Sequence, residues 1–215
     1  MTETVAMTGP SAKLGPGRFV LVVGPSGAGK DTLINLARTE CAGDPRILFP
    51  RRVVTRSASA FEDNEEMNDA AFGRALADGC FALHWEAHGH CYALPSAIDD
   101  DIRAGRAVVV NVSRGVIDAL RRRYANVIAV AITAPPDILA ARLAARGRSS
   151  DADLVQRLQR VAGGAGPVPE FTIVNVGAAR EHAAVLTRII KGEPGLRQDV
   201  NATRGGSTDV DRHHD

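Results

Sequence analysis

The sequence predicts an α/β fold in three layers, with a parallel sheet between two layers of helices. Three observations point there. Short β-branched runs without polar interruption, such as Phe19–Val23, read as strands buried on both faces. These runs alternate with stretches of helical period, and repeated strand–helix units imply parallel pairing. The first run also leads directly into a glycine-rich turn, a lysine and a helix.

Size and composition agree. The chain has 215 residues, enough for one domain or one domain with an inserted lobe. It is 45% apolar and 24% charged, as an ordinary globular protein is. A net charge of +1, from 26 cationic and 25 acidic side chains, argues against a basic nucleic-acid-binding surface and an acidic solvating tail. Cys41, Cys80 and Cys91 are odd in number and irregularly spaced, which fits a reducing compartment better than a disulfide framework. No apolar run approaches the roughly 18–20 residues that span a bilayer. The first residues lack the pattern of a secretory signal, so the expected location is cytoplasmic.

The elements follow in order. Residues 1–17 are punctuated by Gly and Pro without a period, which predicts a flexible leader. Phe19–Val23 is the first strand, and a helix is expected over about Gly29–Glu40. Residues 51–95 break the alternation: they are polar, acidic around Glu62, Asp63, Glu65, Glu66 and Asp69, and end in a hairpin pattern. There Phe81, Leu83 and Trp85 alternate at period two before a His88-Gly89 turn, so this stretch predicts a small inserted lobe. Further strands are expected at Val108–Val110, Val127–Thr133 and Thr172–Val174. Helices are expected near Ser113–Arg123, Pro135–Arg146, Asp151–Val161 and Ala179–Ile190, and the Pro135-Pro136 pair suits a first helical turn. From Lys191 to Asp215 the only aliphatic residues are Leu196, Val200, Ala202 and Val210, too few to offset the entropy of ordering. The expected folded body is 18–190, and the expected tail 191–215 is disordered.

The chemistry concentrates in Gly24, Pro25, Ser26, Gly27, Ala28, Gly29, Lys30, Asp31 and Thr32. A strand, then G-x-x-x-x-G-K, then a helix is the context of a phosphate loop that binds ATP. Its glycines let backbone N–H groups turn toward an anion, and the helix N-terminus adds partial positive charge. Lys30 is one of only three lysines among the 26 cationic residues, and it would reach the β- and γ-phosphates. Asp31 stands where Ser or Thr ordinarily ligates Mg²⁺, and the matching strand end, Val110-Asn111, lacks the usual aspartate. Asp31 therefore either holds Mg²⁺ as a hard oxygen ligand or caps the helix.

Arginines Arg142, Arg146, Arg148, Arg157 and Arg160 crowd around residues 147–153. Arginine forks neutralise the charge on a phosphoryl group in flight, so Arg146, Arg148 and Arg157 are catalytic candidates on an arginine-rich lid at about 146–153. No convincing general base accompanies the inserted lobe. A hydroxyl acceptor is expected to need one, whereas a phosphate acceptor already presents an anionic oxygen. The Cys80, His84, His88, His90 and Cys91 group lacks the spacing of a zinc site, and a hairpin is expected to turn Cys91 away from the histidines.

These features resemble the guanylate kinase superfamily over nearly all of 18–190: the GPSGAGK loop, Thr55-Arg56, the Phe81-to-Trp85 hairpin ending in Tyr92, and the Arg146-Gly147-Arg148 lid followed by Arg157. Within it the chain looks most like the ribose 1,5-bisphosphate kinases of phosphonate breakdown, through GKD, Thr55 to Ala60, Asn64, the Phe81-to-Gly89 run and Asn111-x-Ser113-Arg114. Ser57 departs from those kinases, which carry a proline there. The resemblance implies ATP and ribose 1,5-bisphosphate as substrates, with Mg²⁺, and Arg52, Arg56, His84, Tyr92, Asn111 and Arg114 as the acceptor side. Guanylate kinases carry a Glu before the hairpin tryptophan that accepts from guanine. Here that position reads His84. A guanylate-type kinase and a non-catalytic interaction module of the same fold are the alternatives, and the module is disfavoured by the retained Lys30 and lid arginines.

Overall fold

The computed structural model describes residues 5–6, 12–56, 63–87, 89–146 and 167–196. In chain order it contains β1 (Val5–Ala6), β2 (Leu14–Val23), α1 (Lys30–Glu40), β3 (Ile47–Leu48), β4 (Arg52–Val54), β5 (Asn64–Glu66), α2 (Asp69–Ala77), β6 (Phe81–Ala87), β7 (His90–Pro95) and α3 (Ile98–Arg103). There follow β8 (Ala107–Asn111), a 3₁₀ turn (Arg114–Val116), α4 (Ile117–Arg123), β9 (Tyr124–Thr133), α5 (Pro136–Arg146), β10 (Phe171–Val174) and α6 (Ala179–Lys191).

The apolar runs pair as a parallel sheet in the order β10-β9-β2-β8-β3. Side chains alternate between its faces, and the strands are apolar on both because both are covered. On one face Val20, Val22, Val109, Val130 and Ile132 pack with Leu33 and Ala37 of α1, Leu139 of α5 and Leu186 and Ile190 of α6. On the other, Phe19, Leu21, Val23, Val108 and Val110 meet Ile98 and Ile102 of α3, Ile117 and Leu120 of α4, and the β6–β7 hairpin. The chain crosses from β2 out to β3, returns to β8, then passes β2 to reach β9. That reversal beside β2 opens a crevice at its carboxyl end, where open α/β sheets bind ligands.

The inserted stretch forms a second sheet, β1-β6-β7-β4-β5, mixed in direction. It is tied to α1 by Asp63, which pairs with Arg38 of that helix and with Arg51. The hairpin register sets Trp85 opposite Tyr92 and His84 opposite Ala93. An irregularity between Phe81 and Leu83 turns Phe81 off the Trp85 face, so it packs on Phe72 instead of following the period-two pattern.

Several expectations change. The leader is shorter than 1–17, because Leu14–Gly17 already belong to β2 and Val5–Ala6 pair with Trp85 and His84 at the edge of the lobe sheet. The tail begins later than Lys191, since that residue ends α6 and Leu196 is buried in the core. Helix α2 was hidden because Phe72 is its one buried residue, too little to make a period; its start is set by Asn68, whose side chain accepts from the Ala71 N–H. Cys91 shares the His84 face, and the residue turned away is His90, opposite Ala87. The helix expected at Asp151–Val161 and residues 197–215 lie outside the described residues.

One buried polar group anchors the far end of the sheet. The Asp99 carboxylate on α3 accepts from the Tyr124 hydroxyl at 2.6 Å and from Arg123, whose Nε also reaches that hydroxyl at 3.2 Å. Burial first, then the bond to Asp99, pushes the Tyr124 hydroxyl up from its ordinary value. Removing one partner strands a buried charge, so Asp99→Ala should lose about 3–5 kcal/mol in chemical denaturation. Because the folded-state pKa is raised, Tyr124 contributes stability below about pH 10 that is lost as pH rises beyond it. Melting curves from pH 8 to 11 should fall more steeply for the wild type than for Tyr124→Phe.

Candidate active site

The turn after β2 must be glycine-rich for two separate reasons. Gly24 has φ +146°, and a Cβ there would lie 2.0 Å from the Ile132 carbonyl of β9. Gly29 has φ +87°, and a Cβ would lie 2.3 Å from the Asn175 amide nitrogen. Between them the backbone turns around the start of α1, whose N-cap is Gly29 with no side-chain cap bond. Lys30 folds back over this turn, its Nζ donating to the carbonyls of Gly24 at 2.9 Å and Pro25 at 3.0 Å. Pro25 and Ser26 are half-buried on the turn, and Thr32 is exposed one residue beyond Asp31.

Asn175, just past β10, holds this loop from the side and is absent from the sequence-derived site. It is buried, and its Nδ2 donates to the Ala28 carbonyl at 2.8 Å. Its Oδ1 is buried without a partner among the described residues. Arg142 of α5 bridges the same elements, donating to the Asn175 carbonyl at 3.0 Å and to that of Gly27 at 3.4 Å. The available signal was a lone amide at the end of the Thr172–Val174 run, where nothing apolar explains it.

Asp31 sits in the first turn of α1 but does not cap it. Its Oδ1 accepts from Asn111 Nδ2 at 2.9 Å. The other carboxylate oxygen of Asp31 and the side-chain Oδ1 of Asn111 make no hydrogen bond among the described residues. Both are hard oxygens beside a phosphate loop, so the donor set fits Mg²⁺.

On the facing lobe, Arg52 and Arg56 gather on Tyr92. Each guanidinium carbon lies 5.9 Å from the ring centroid, and Arg56 Nε reaches the hydroxyl at 3.2 Å. Arg52 also donates to Asn64 Oδ1 at 3.3 Å and to the Asn111 carbonyl at 3.0 Å. Tyr92 is stacked on Trp85 with centroids 5.5 Å apart, which orients the ring that carries both cations. Arg114 opens the 3₁₀ turn and is exposed, and its side chain has no partner among the described residues. The structure does not bring His84 to this group: strand alternation turns it to the Ala93 face. The Tyr92 face of the hairpin also carries Leu83, Trp85, Ala87, His90 and Leu94, of which Leu83, Trp85 and Leu94 are buried in the core. Arg146 ends α5, while its side chain, Arg148 and Arg157 lie outside the described residues, and the lid with them. Among the described residues no group of three potential metal-binding His, Cys, Asp or Glu occurs, and no helix is long and apolar enough to cross a membrane.

No protein-family model matches the chain. Individual proteins do. A protein of Bradyrhizobium diazoefficiens named ribose 1,5-bisphosphate phosphokinase PhnN is 58% identical over 194 residues, 90% of this chain and 98% of its own. Its namesake in Rhodopseudomonas palustris is 57% identical, over 90% of this chain and 99% of that one. The Methylobacterium radiotolerans namesake is 56% identical, over 80% and 96%. Among solved structures, a guanylate kinase from Anaplasma phagocytophilum matches with a TM-score of 0.57 over 89% of this chain and 96% of that chain. At 19% identity that likeness shows the fold, which is guanylate-kinase-like as the sequence implies.

The Asn175 contact can be tested directly. Asn175→Ala leaves the Ala28 carbonyl without its donor, so stability to denaturant should fall by about 1–3 kcal/mol. The loosened loop should also bind ATP more weakly by calorimetry. A variant with wild-type stability and nucleotide affinity would show that Asn175 does not hold the loop.

Proposed function

The chain belongs to the ribose 1,5-bisphosphate phosphokinase family, and on that footing we propose that it transfers the γ-phosphoryl group of ATP to the 1-phosphate of ribose 1,5-bisphosphate. The bond between the γ-phosphorus and the β–γ bridging oxygen breaks, and one forms to an anionic oxygen of the acceptor. The products are ADP and 5-phospho-α-D-ribose 1-diphosphate, a step of phosphonate breakdown. The observation that supports this reading best is the arginine pair on Tyr92, a cationic platform that Arg52 ties to the Asn111 strand end beside Asp31. A phosphate acceptor needs that charge and does not need a base.

In this reading the loop N–H groups and the N-terminus of α1 hold the ATP phosphates. Lys30, resting on two carbonyls, exchanges them for phosphate oxygens when nucleotide arrives. Arg52 and Arg56 orient the acceptor phosphates, Arg114 supplies a further exposed cation, and Arg146, Arg148 and Arg157 close over the transferring group. Mg²⁺, held through Asp31, would neutralise charge between the β- and γ-phosphates.

Acceptor choice follows from the position before Trp85. Guanine presents N–H donors that must be met when buried, and this chain carries His84 where guanylate kinases carry the accepting Glu. A pocket leaving such groups unpaired discriminates by up to ~10⁴–10⁵. A coupled ADP assay should therefore give kcat/KM for ribose 1,5-bisphosphate at least about a hundredfold above that for GMP. GMP as the better acceptor would make the protein a divergent guanylate kinase. Arg56→Lys, which replaces a fork by a point charge, should raise KM for the acceptor while leaving KM for ATP near wild type. Lys30→Ala should cost about 3–5 kcal/mol of barrier, read as kcat, with little change in melting temperature. A kcat within tenfold of wild type would remove Lys30 from the catalytic group.

A further inference from the structure

Phosphate-loop enzymes ordinarily divide Mg²⁺ coordination between a loop hydroxyl and an aspartate at a strand end. Here both positions depart at once: the loop holds the carboxylate, Asp31, and the strand end holds an amide, Asn111. Two unrelated losses need not touch, yet these side chains are joined by a 2.9 Å hydrogen bond. Its direction is fixed by chemistry, because an ionised carboxylate only accepts.

The contact is a product of the sheet. Asn111 pairs with Val22, two residues before the loop, and shares the sheet face of Val22 and Val109. That face lies under α1, so a side chain at the end of β8 meets the first turn of the helix. The Asn111 backbone is fixed in turn, since its carbonyl accepts from Arg52 of the lobe. One carboxylate oxygen of Asp31 is thereby committed to Asn111, and the other is aimed by that bond.

Resting on the kinase reading, we infer that the two positions have exchanged roles. Asp31 is the carboxylate through which the protein holds the nucleotide-bound Mg²⁺, and Asn111 is the positioning residue that orients it. Asn111 thus serves the metal side of the site rather than touching the acceptor with its side chain.

The test is a swap, read by equilibrium binding of a fluorescent ATP analogue to the full chain in an Mg²⁺ titration and in EDTA. Asp31→Ser should lower the Mg²⁺ enhancement of nucleotide binding by at least about tenfold, the scale of a lost metal partner. Asp31→Ser combined with Asn111→Asp restores the ordinary arrangement and should return the enhancement to within about threefold of wild type. Asn111→Ala keeps the carboxylate but releases it, so the Mg²⁺ concentration for half-maximal binding should rise about tenfold with affinity in EDTA unchanged.

A folded double variant no better than Asp31→Ser overturns the exchange. So does an Asn111→Ala protein with the wild-type Mg²⁺ midpoint, and that single variant decides the matter if the double variant fails to fold. No acceptor is present in these measurements. An error in the acceptor would leave them intact and appear as absent turnover with ribose 1,5-bisphosphate.

Discussion

Parallel pairing of β2 with both β8 and β9 is the constraint from which the rest of the molecule follows. It brings the β2 backbone so close to β9 at Ile132 that only glycine fits at position 24. The chain must then turn sharply and enter α1 with its N–H groups facing the crevice. The same pairing puts Asn111 level with Val22 on the α1 side, so the strand end meets the helix start. A one-residue slip of β8 would send Asn111 to the opposite face and bring Val110 under α1. Loop conformation and carboxylate orientation therefore depend on one register.

Cations are distributed around this frame with distinct supports. Lys30 is held by the Gly24 and Pro25 backbone carbonyls of its own loop. Arg142 is a brace, binding the carbonyls of Gly27 and Asn175 and thereby joining α5 to the loop. Arg52 and Arg56 belong to the lobe and rest on an aromatic ring. That ring is itself stacked on Trp85. Arg52 then touches both sides, reaching Tyr92 in the lobe and the Asn111 carbonyl on the main sheet.

The periodicity-bearing parts of the chain were legible without coordinates. The strand at Phe19–Val23 and the later strands were legible because burial on both faces leaves a continuous apolar signature, and the helix from Gly29 and α6 because one buried face recurs at the helical period. Short elements with one anchor were not legible. Helix α2 rests on Phe72 alone, and β3, β4 and β5 are two or three residues long. Leu14–Gly17 read as leader because glycine and proline obscure an edge-like start that pairing with β9 nevertheless sustains.

By itself the sequence determined the α/β order and the phosphate loop with its lysine. These are local: a few consecutive residues carry the whole physical requirement. Tertiary structure alone decided which side chains meet. Asp31 and Asn111 are 80 positions apart, and Asn175 and Ala28 are 147 apart, so no window of sequence contains either contact. His84 and Tyr92 were assigned together to the acceptor side through the family resemblance and stand on opposite faces of the hairpin. The reason is the period of a strand: which face a residue takes depends on register, and register is set by the partner strand rather than by the residue's own neighbours.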